Sequence, residues 1–370
     1  MKFTCEKALL VSAISVASRT VAPKSAIPSL EGLLVKAGVK VMLTGYNLET
    51  GITVGVPADI AEPGECIMPA RLFFDIIRKL PDDEVTVSVD ESFRVFIRGG
   101  ISSFTITAMT AEDYPELPDV ESEKGIPVPQ RELREMISGT IFSASENMAR
   151  PIHTGCLFEI ADESVTVVAV DGYRLALRRY IPEQPLERTV KFVAPAAALK
   201  EVEKILDDTD DPAVIYLGTK HILFMIGDAT LVCRILEGEF LDWRRVLPQN
   251  NPIKVAANVR EVTDSIERVS LVISEKIKSP VRCTFGHNTA DFRTTSTIGE
   301  AHDMCSTAGD GKDLEIGFNS RYLLDALRAV PTPEVSLELI NGLSPIVLNP
   351  CDGSGKFSYM VLPVRLKAGE

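Results

Sequence analysis

Apolar and polar positions along the chain fall into one pattern that recurs three times. Pro69-Ala70-Arg71-Leu72-Phe73-Phe74-Asp75-Ile76-Ile77-Arg78-Lys79-Leu80 predicts a helix that opens a helix-to-hairpin unit. Similar segments begin at Pro195 (PAAALKEVEKIL) and Asn319 (NSRYLLDALRAV), about 125 residues apart each time, a period of one domain size. Each is followed by a strand, a turn and a second strand. These are Val85 to Val89 with Phe93 to Ile97, then Ala213 to Leu217 with Ile222 to Ile226. The last is Val335 to Ile340, the turn Asn341-Gly342 and a weaker strand through Leu348. A second helix is expected at the head of each third, within Glu6 to Ser18, Gln130 to Ser145 and Val259 to Ile273. Triplication therefore predicts three domains, 1–125, 126–250 and 251–370.

Composition agrees with that division. The 370 residues give each third enough chain to bury its own core, and 45% hydrophobic with 25% charged residues is the balance of an ordinary globular protein. No apolar run reaches the length of a membrane span. The stretch Ala8 to Ser18 imitates a signal peptide, but Glu6 stands where that signal is basic, and the stretch occupies a repeat helix slot. Seven cysteines, odd in number and without a C-x-x-C pair, indicate reduced thiols and a cytoplasmic location. The four histidines lie in no metal-ligand spacing, so neither a metal nor a cofactor is expected.

A net charge of −13 opposes nucleic-acid binding unless the charges are segregated. Acidic residues gather where loops are expected: Asp82-Asp83-Glu84, Asp119 to Glu123, Asp207 to Asp211, and Asp310 to Glu315. Two of the repeat helices are less acidic, setting Arg71, Arg78 and Lys79 against Asp75, and Arg321 and Arg328 against Asp325. The helix from Pro195 does not share this bias.

The motifs of catalysis fail one by one. Gly353-Ser354-Gly355-Lys356 resembles the end of a phosphate loop, yet Pro350 stands where that motif needs glycine and Phe357 replaces the magnesium-binding Ser or Thr. It reads as a hairpin turn. Asp207 to Asp211 lacks the glycine and distal glutamate of a calcium loop and falls at a helix-to-strand turn. No Gly-x-Ser-x-Gly or His-Glu-x-x-His occurs, so a non-enzymatic protein is expected, and a hydrolase or nuclease with a dispersed metal site finds no ligand cluster.

Three segments carry more than a repeat core needs. Val167 to Ala176 holds two strands around a sharp Asp171-Gly172 turn. Gly238 to Pro248 carries the single tryptophan, Trp243, and the pair Arg244-Arg245. The terminal Tyr359 to Leu366 is apolar nearly to its end, which predicts a segment tied to a sheet or lining a groove.

With these stand Met1-Lys2-Phe3-Thr4, Ser25-Ala26-Ile27-Pro28, the Pro-Ala-Arg-x-Phe-Phe-Asp helix at Pro69, and Arg150-Pro151-Ile152. Asp171-Gly172-Tyr173-Arg174-Leu175-Ala176, Arg244-Arg245-Val246-Leu247-Pro248, Ile316-Gly317-Phe318-Asn319 and Leu362-Pro363-Val364-Arg365-Leu366 complete the set. In this order and spacing, over essentially the whole chain, the sequence resembles the bacterial DNA polymerase III beta subunit, the sliding clamp. The resemblance implies an α+β fold of three tandem DNA-clamp domains, each with two helices packed on antiparallel sheets. It further implies a head-to-tail homodimer that closes into a ring around duplex DNA without reading its sequence. By family position Lys24, Arg71, Arg78 and Arg150 face DNA, while Phe104 and Ile106 of one chain meet Leu271 and Val272 of the other.

The same resemblance implies a groove for short peptides of the polymerase III alpha subunit, the clamp loader, other DNA polymerases and repair proteins. The peptides usually carry a glutamine followed by aliphatic or aromatic residues. Val170, Gly172, Tyr173, Arg174, Leu175, Leu241, Arg245, Val246, Tyr322, Met360, Leu362, Pro363, Val364, Arg365 and Leu366 would build it. This chain departs from relatives in several places. It has Ala196 and Ala197 where basic residues are frequent, Pro151 and Ile152 in place of tyrosines, and Tyr173 and Leu241 for a histidine and a proline. Lys367 to Glu370 run past the usual end, implying an altered peptide preference and a tail near the groove. The nearer alternative is a clamp paralogue serving repair or drug resistance.

Overall fold

The computed structural model describes residues 1–120, 124–161, 163–186, 188–273 and 279–366. The expected repeat helices are all present, as α1 (Lys7–Ala17), α2 (Ala70–Lys79), α3 (Gln130–Ile141), α4 (Ala196–Ile205), α6 (Val259–Ser270) and α7 (Ser320–Arg328), and a short α5 (Trp243–Val246) that was not expected stands before α6. Asn258 and Asn319 start α6 and α7 because their side chains accept otherwise unpaired backbone N–H groups, from Arg260 and Glu261 and from Arg321 respectively. The segment that imitates a signal peptide is α1, with Leu10, Ala13, Ile14 and Ala17 buried.

The strands form antiparallel sheets within two compact units, Met1–Leu133 with Glu201–Ile235, and Arg134–Lys200 with Leu236–Glu370. The first unit holds a five-stranded sheet in the order Asp59–Glu62, Lys2–Glu6, Glu84–Val89, Arg94–Gly99, Ser102–Thr107. Its hairpin turns one residue later than expected. The Asp90 carboxylate accepts the N–H groups of Ser92 (2.9 Å) and Arg94 (3.0 Å), which places Phe93 in the turn at φ 55° rather than at the strand's start. An eight-stranded sheet in the same unit joins strands of the first and middle thirds through Ala229–Arg234 and Thr50–Val56, with Ala229 opposite Val54 and Cys233 opposite Thr50. Strand Val41–Tyr46 passes the end of α1 so closely that a Cβ on Gly45 would lie 2.0 Å from the Ala17 carbonyl oxygen.

The second unit is built on a ten-stranded sheet. There Arg174–Tyr180 of the middle third pairs with Phe357–Val361 of the last, placing Leu175 opposite Met360. The sheet ends in the long hairpin of Val281–Ser296 and Gly299–Phe318. Helices α6 and α7 cover it through Val262, Ile266, Val269, Leu323 and Leu327, which pack with Phe285, Phe292, Phe318 and Tyr359. Gly353 and Gly355 adopt φ of 69° and 65° in the turn before Phe357–Val361, as a hairpin and not a phosphate loop requires. All seven cysteines are free. Burial pushes the thiol of Cys5 up to about 11 and those of Cys66, Cys156 and Cys233 up to about 12.

Candidate functional site

The second unit carries a cavity of about 520 Å³, within the range of ligand sites. Its making starts at the turn after strand Ser164–Val170. The Asp171 carboxylate accepts the N–H groups of Tyr173 (2.9 Å) and Arg174 (3.1 Å), and Gly172 takes φ 93°, a value that favours glycine. The turn sends Tyr173 outward, 61% exposed, and Arg174 inward, 9% exposed. Arg174 donates to Asp171 at 2.8 Å and to Asp325 of α7 at 2.6 Å, and lies over the rings of Tyr322 (4.6 Å) and Phe142 (5.5 Å). Tyr173 stacks on Tyr322 with ring centres 5.9 Å apart. The Arg174 charge is thus matched on two sides, and the residue ties the turn to α7.

The apolar side follows from the strand pairing. Leu175 and Met360 are neighbours in the sheet, and the Leu362 N–H donates to the Tyr173 carbonyl at 2.8 Å. Together with Val170, Val246 and Leu241 they form a continuous aliphatic wall. Trp243 and Phe240 pack behind it. The polar part of the lining comes from Ser145, Asn147, Arg150 and His153. That segment is held by its own turns: Ser145 Oγ accepts the Asn147 N–H at 3.1 Å, Asn147 Oδ1 accepts the Ala149 N–H at 2.9 Å, and the Ser145 N–H donates to the His153 carbonyl at 2.9 Å.

Of the residues expected to form the groove, Val170, Gly172, Tyr173, Arg174, Leu175, Leu241, Val246, Met360 and Leu362 line this cavity. Tyr322 lines a neighbouring one of about 530 Å³, shared with Phe142, Lys200 and Asp325. Arg245 points to solvent and pairs with Asp242 at 3.0 Å. Pro363, Val364, Arg365 and Leu366 lie beyond the cavity. The Val364 N–H donates to the Gly317 carbonyl at 2.8 Å, and a Cβ on Gly317 would lie 2.5 Å from Leu366 Cδ2. Lys367 to Glu370, expected near the groove, fall outside the described residues.

Ser145, Asn147 and His153 were not legible as groove residues. The turn-forming Ser145-Glu146-Asn147 ahead of Pro151 was the available signal of a loop, though not of what it faces. Arg150, expected to face DNA, is placed in the polar wall. Lys24, Arg71 and Arg78 are exposed in the first unit, where Arg78 pairs with Asp75 at 3.4 Å. Phe104 (41%) and Leu271 (81%) are large apolar side chains open to water, while Ile106 and Val272 are half-buried. No group of His, Cys, Asp or Glu able to hold a metal occurs among the described residues.

The unexplained Arg244 has a structural role. Glu159 accepts from Arg244 (2.8 Å), Lys191 (3.1 Å) and the Trp243 indole (3.2 Å), and the Arg244 guanidinium lies 4.1 Å from the centre of the Trp243 ring. Burial alone would raise the Glu159 carboxyl, but these donors outweigh it and hold the group below its ordinary 4.5. A carboxyl depressed on folding stabilises above its unfolded range, and that contribution is lost as pH falls through the folded value. Glu159→Gln is therefore expected to cost about 1 to 2 kcal/mol at neutral pH. The gap to wild type should close progressively below pH 4.5, followed by fluorescence of the single tryptophan. A gap undiminished in acid would contradict this account.

Comparison with known proteins adds an independent line. The family models of the DNA polymerase III beta subunit match in chain order: its N-terminal domain at residues 1–118, its central domain at 127–242 and its C-terminal domain at 244–365. The beta sliding clamp of Staphylococcus epidermidis is 31% identical over 99% of both chains. The crystal structure of the DNA polymerase sliding clamp from Bacillus subtilis is similar at a TM-score of 0.94 and 28% identity, covering 99% of this chain and 100% of that one. A Pseudomonas aeruginosa sliding clamp bound to griselimycin gives 0.93 and 28% over the same shares.

Proposed function

This chain belongs to the DNA polymerase III beta-subunit family, the sliding clamps, and from that membership we propose how its own residues do the work of a processivity factor. Three modules, 1–125, 126–250 and 251–370, act as one segment of a ring. A second copy, added head to tail, closes it around duplex DNA. Neighbouring thirds of the chain already share sheets by strand pairing, as Ala229–Arg234 does with Thr50–Val56 and Arg174–Tyr180 with Phe357–Val361. Among the described residues, strand Ser102–Thr107 ends its sheet with one edge unpaired and Phe104 exposed. An open edge of this kind invites pairing in trans, and an interface that closes after two copies removes the hazard of open-ended aggregation. Phe104 and Ile106 of one protomer pack on Leu271 and Val272 of its partner.

Enclosure reconciles the function with a net charge of −13, because a closed ring is retained by topology and not by tight phosphate binding. Lys24, Arg71 and Arg78 supply weak contacts to the backbone, which carry no sequence information and permit sliding. The protein catalyses nothing. It tethers the polymerase III alpha subunit, the clamp loader, and other polymerases and repair proteins through short extended peptides. The observation that carries the tether is the cavity itself, whose lining joins the aliphatic Leu175, Val246, Met360 and Leu362 to polar side chains. Each apolar peptide side chain enclosed there contributes roughly 1.5 to 3 kcal/mol. Arg245, Pro363, Val364, Arg365 and Leu366 flank the peptide's path.

The test joins assembly to function. The mass in solution at micromolar concentration should be near twice the 40.4 kDa of one chain. Once loaded on nicked circular DNA, the protein should stay bound through salt that strips it from linear DNA, since a topological link does not depend on counterion release. A monomer, or equal salt sensitivity on both DNAs, argues against encirclement.

A further inference from the structure

The two walls of the cavity differ in how their charges are matched. On one side Arg174 is neutralised by Asp171 and Asp325 at 2.8 and 2.6 Å. Arg150, in the same lining, is exposed and has no carboxylate partner among the described residues. His153 stands three residues on, half-buried, its imidazole packed edge-on against Phe240 with ring centres 5.4 Å apart. Its ring nitrogens find no hydrogen-bond partner among the described residues, while its backbone is held at both ends, by Arg150 and by Ser145. The cavity therefore offers an unmatched guanidinium and an unpartnered imidazole in the same lining as a surface made for aliphatic side chains.

We propose that His153 is a specificity residue of this pocket: a docking peptide with an acidic side chain beside its apolar anchor seats the carboxylate between Arg150 and His153, and His153 takes up one proton as it binds. This rests on the peptide-groove reading above and adds to it a residue of this chain, His153, that couples binding of such a peptide to a proton. The proton comes from solvent and ends on the imidazole, which then donates to the carboxylate; no other bond changes. In the free protein, burial and the neighbouring Arg150 hold His153 below its ordinary 6.5, so the ring is neutral at physiological pH. A carboxylate placed against it reverses that balance and favours the imidazolium. The other charged groups on the surrounding elements do not offer the same reversal. Asp171 and Arg174 are matched to one another, Asp242 pairs with Arg245 at 3.0 Å, and Glu146, Glu237 and Glu239 are exposed to water.

The experiment is titration calorimetry of the full-length protein with two synthetic pentapeptides. Both open with glutamine and carry leucine and phenylalanine anchors; one has a central aspartate and the other asparagine. The aspartate peptide should gain about tenfold in affinity from about pH 8 to about pH 6, one unit of coupling, with net proton uptake read from buffers of different ionisation heat. The asparagine peptide should stay within about twofold over the same range. His153→Gln should flatten the aspartate profile. Twin peptides that track each other in the wild-type protein overturn the proposal whatever the variant does, as does a slope that survives in His153→Gln. Failure of both peptides to bind at any pH overturns the groove reading too, whereas binding of both without pH dependence overturns the role of His153 alone.

Discussion

Replacing Arg174 with alanine is expected to destabilise the second compact unit by about 3 kcal/mol, the lower end of what breaking a buried ion pair costs. The guanidinium is nearly enclosed, and its loss leaves the Asp171 and Asp325 carboxylates without their shared cation. Both retain some contact with water, which limits the penalty. The rings of Tyr322 and Phe142 lose the cation that they flank as well, so the turn that sets the cavity's edge comes loose from α7. Urea unfolding followed by Trp243 fluorescence reports on the unit directly, because Trp243 packs behind the same cavity. A loss below about 1 kcal/mol would place Arg174 among surface ion pairs and refute its role as a tie. Arg174→Lys should recover little, since an ammonium cannot serve two carboxylates and two ring faces with one planar group.

The second large effect belongs to the end of the chain. Deleting residues 362–370 removes Leu362 from the aliphatic wall and the Val364 and Leu366 contacts to Gly317, but leaves strand Phe357–Val361 intact. Affinity for a partner peptide should fall by about a hundredfold, equivalent to one apolar anchor left largely in water. The dimer should survive, because Phe104, Ile106, Leu271 and Val272 are untouched. Light scattering and peptide titration separate the two properties. Unchanged peptide affinity would remove the groove from this face. A shorter deletion, of residues 367–370 alone, isolates the tail: tighter peptide binding in that variant identifies it as a competitor for the cavity.

The repeat explains how much of this protein could be read from residues in a row. Helices α1 to α4, α6 and α7 and the three hairpins rest on local signals, amphipathic spacing, asparagine caps and short turns, and these act over a few residues wherever they occur. The segment Ala8 to Ser18 was distinguishable from a signal peptide for the same reason, since its place in the repeat is a property of order along the chain. The groove was legible in part. Asp171-Gly172, Leu241 to Val246 and Met360-Val361-Leu362 each carried a local oddity, and strand pairing brings them to one cavity.

Arg150, His153 and Arg174 were of another kind. No local rule distinguishes an arginine that ends between two carboxylates from one that ends exposed with no carboxylate partner among the described residues, and the chain contains both within 25 residues, at Arg174 and Arg150. Their roles depend on Asp325, 151 residues from Arg174, and on a sheet seam that places Leu175 beside Met360. Burial and electrostatic matching are sums over neighbours in space, whereas helix and turn preferences are sums over neighbours in the chain. The fold and its triplication belong to the second kind of sum and were written in the order of residues. The polar wall, the matched charge of Arg174 and the open one of Arg150 belong to the first, and came into being when distant strands met.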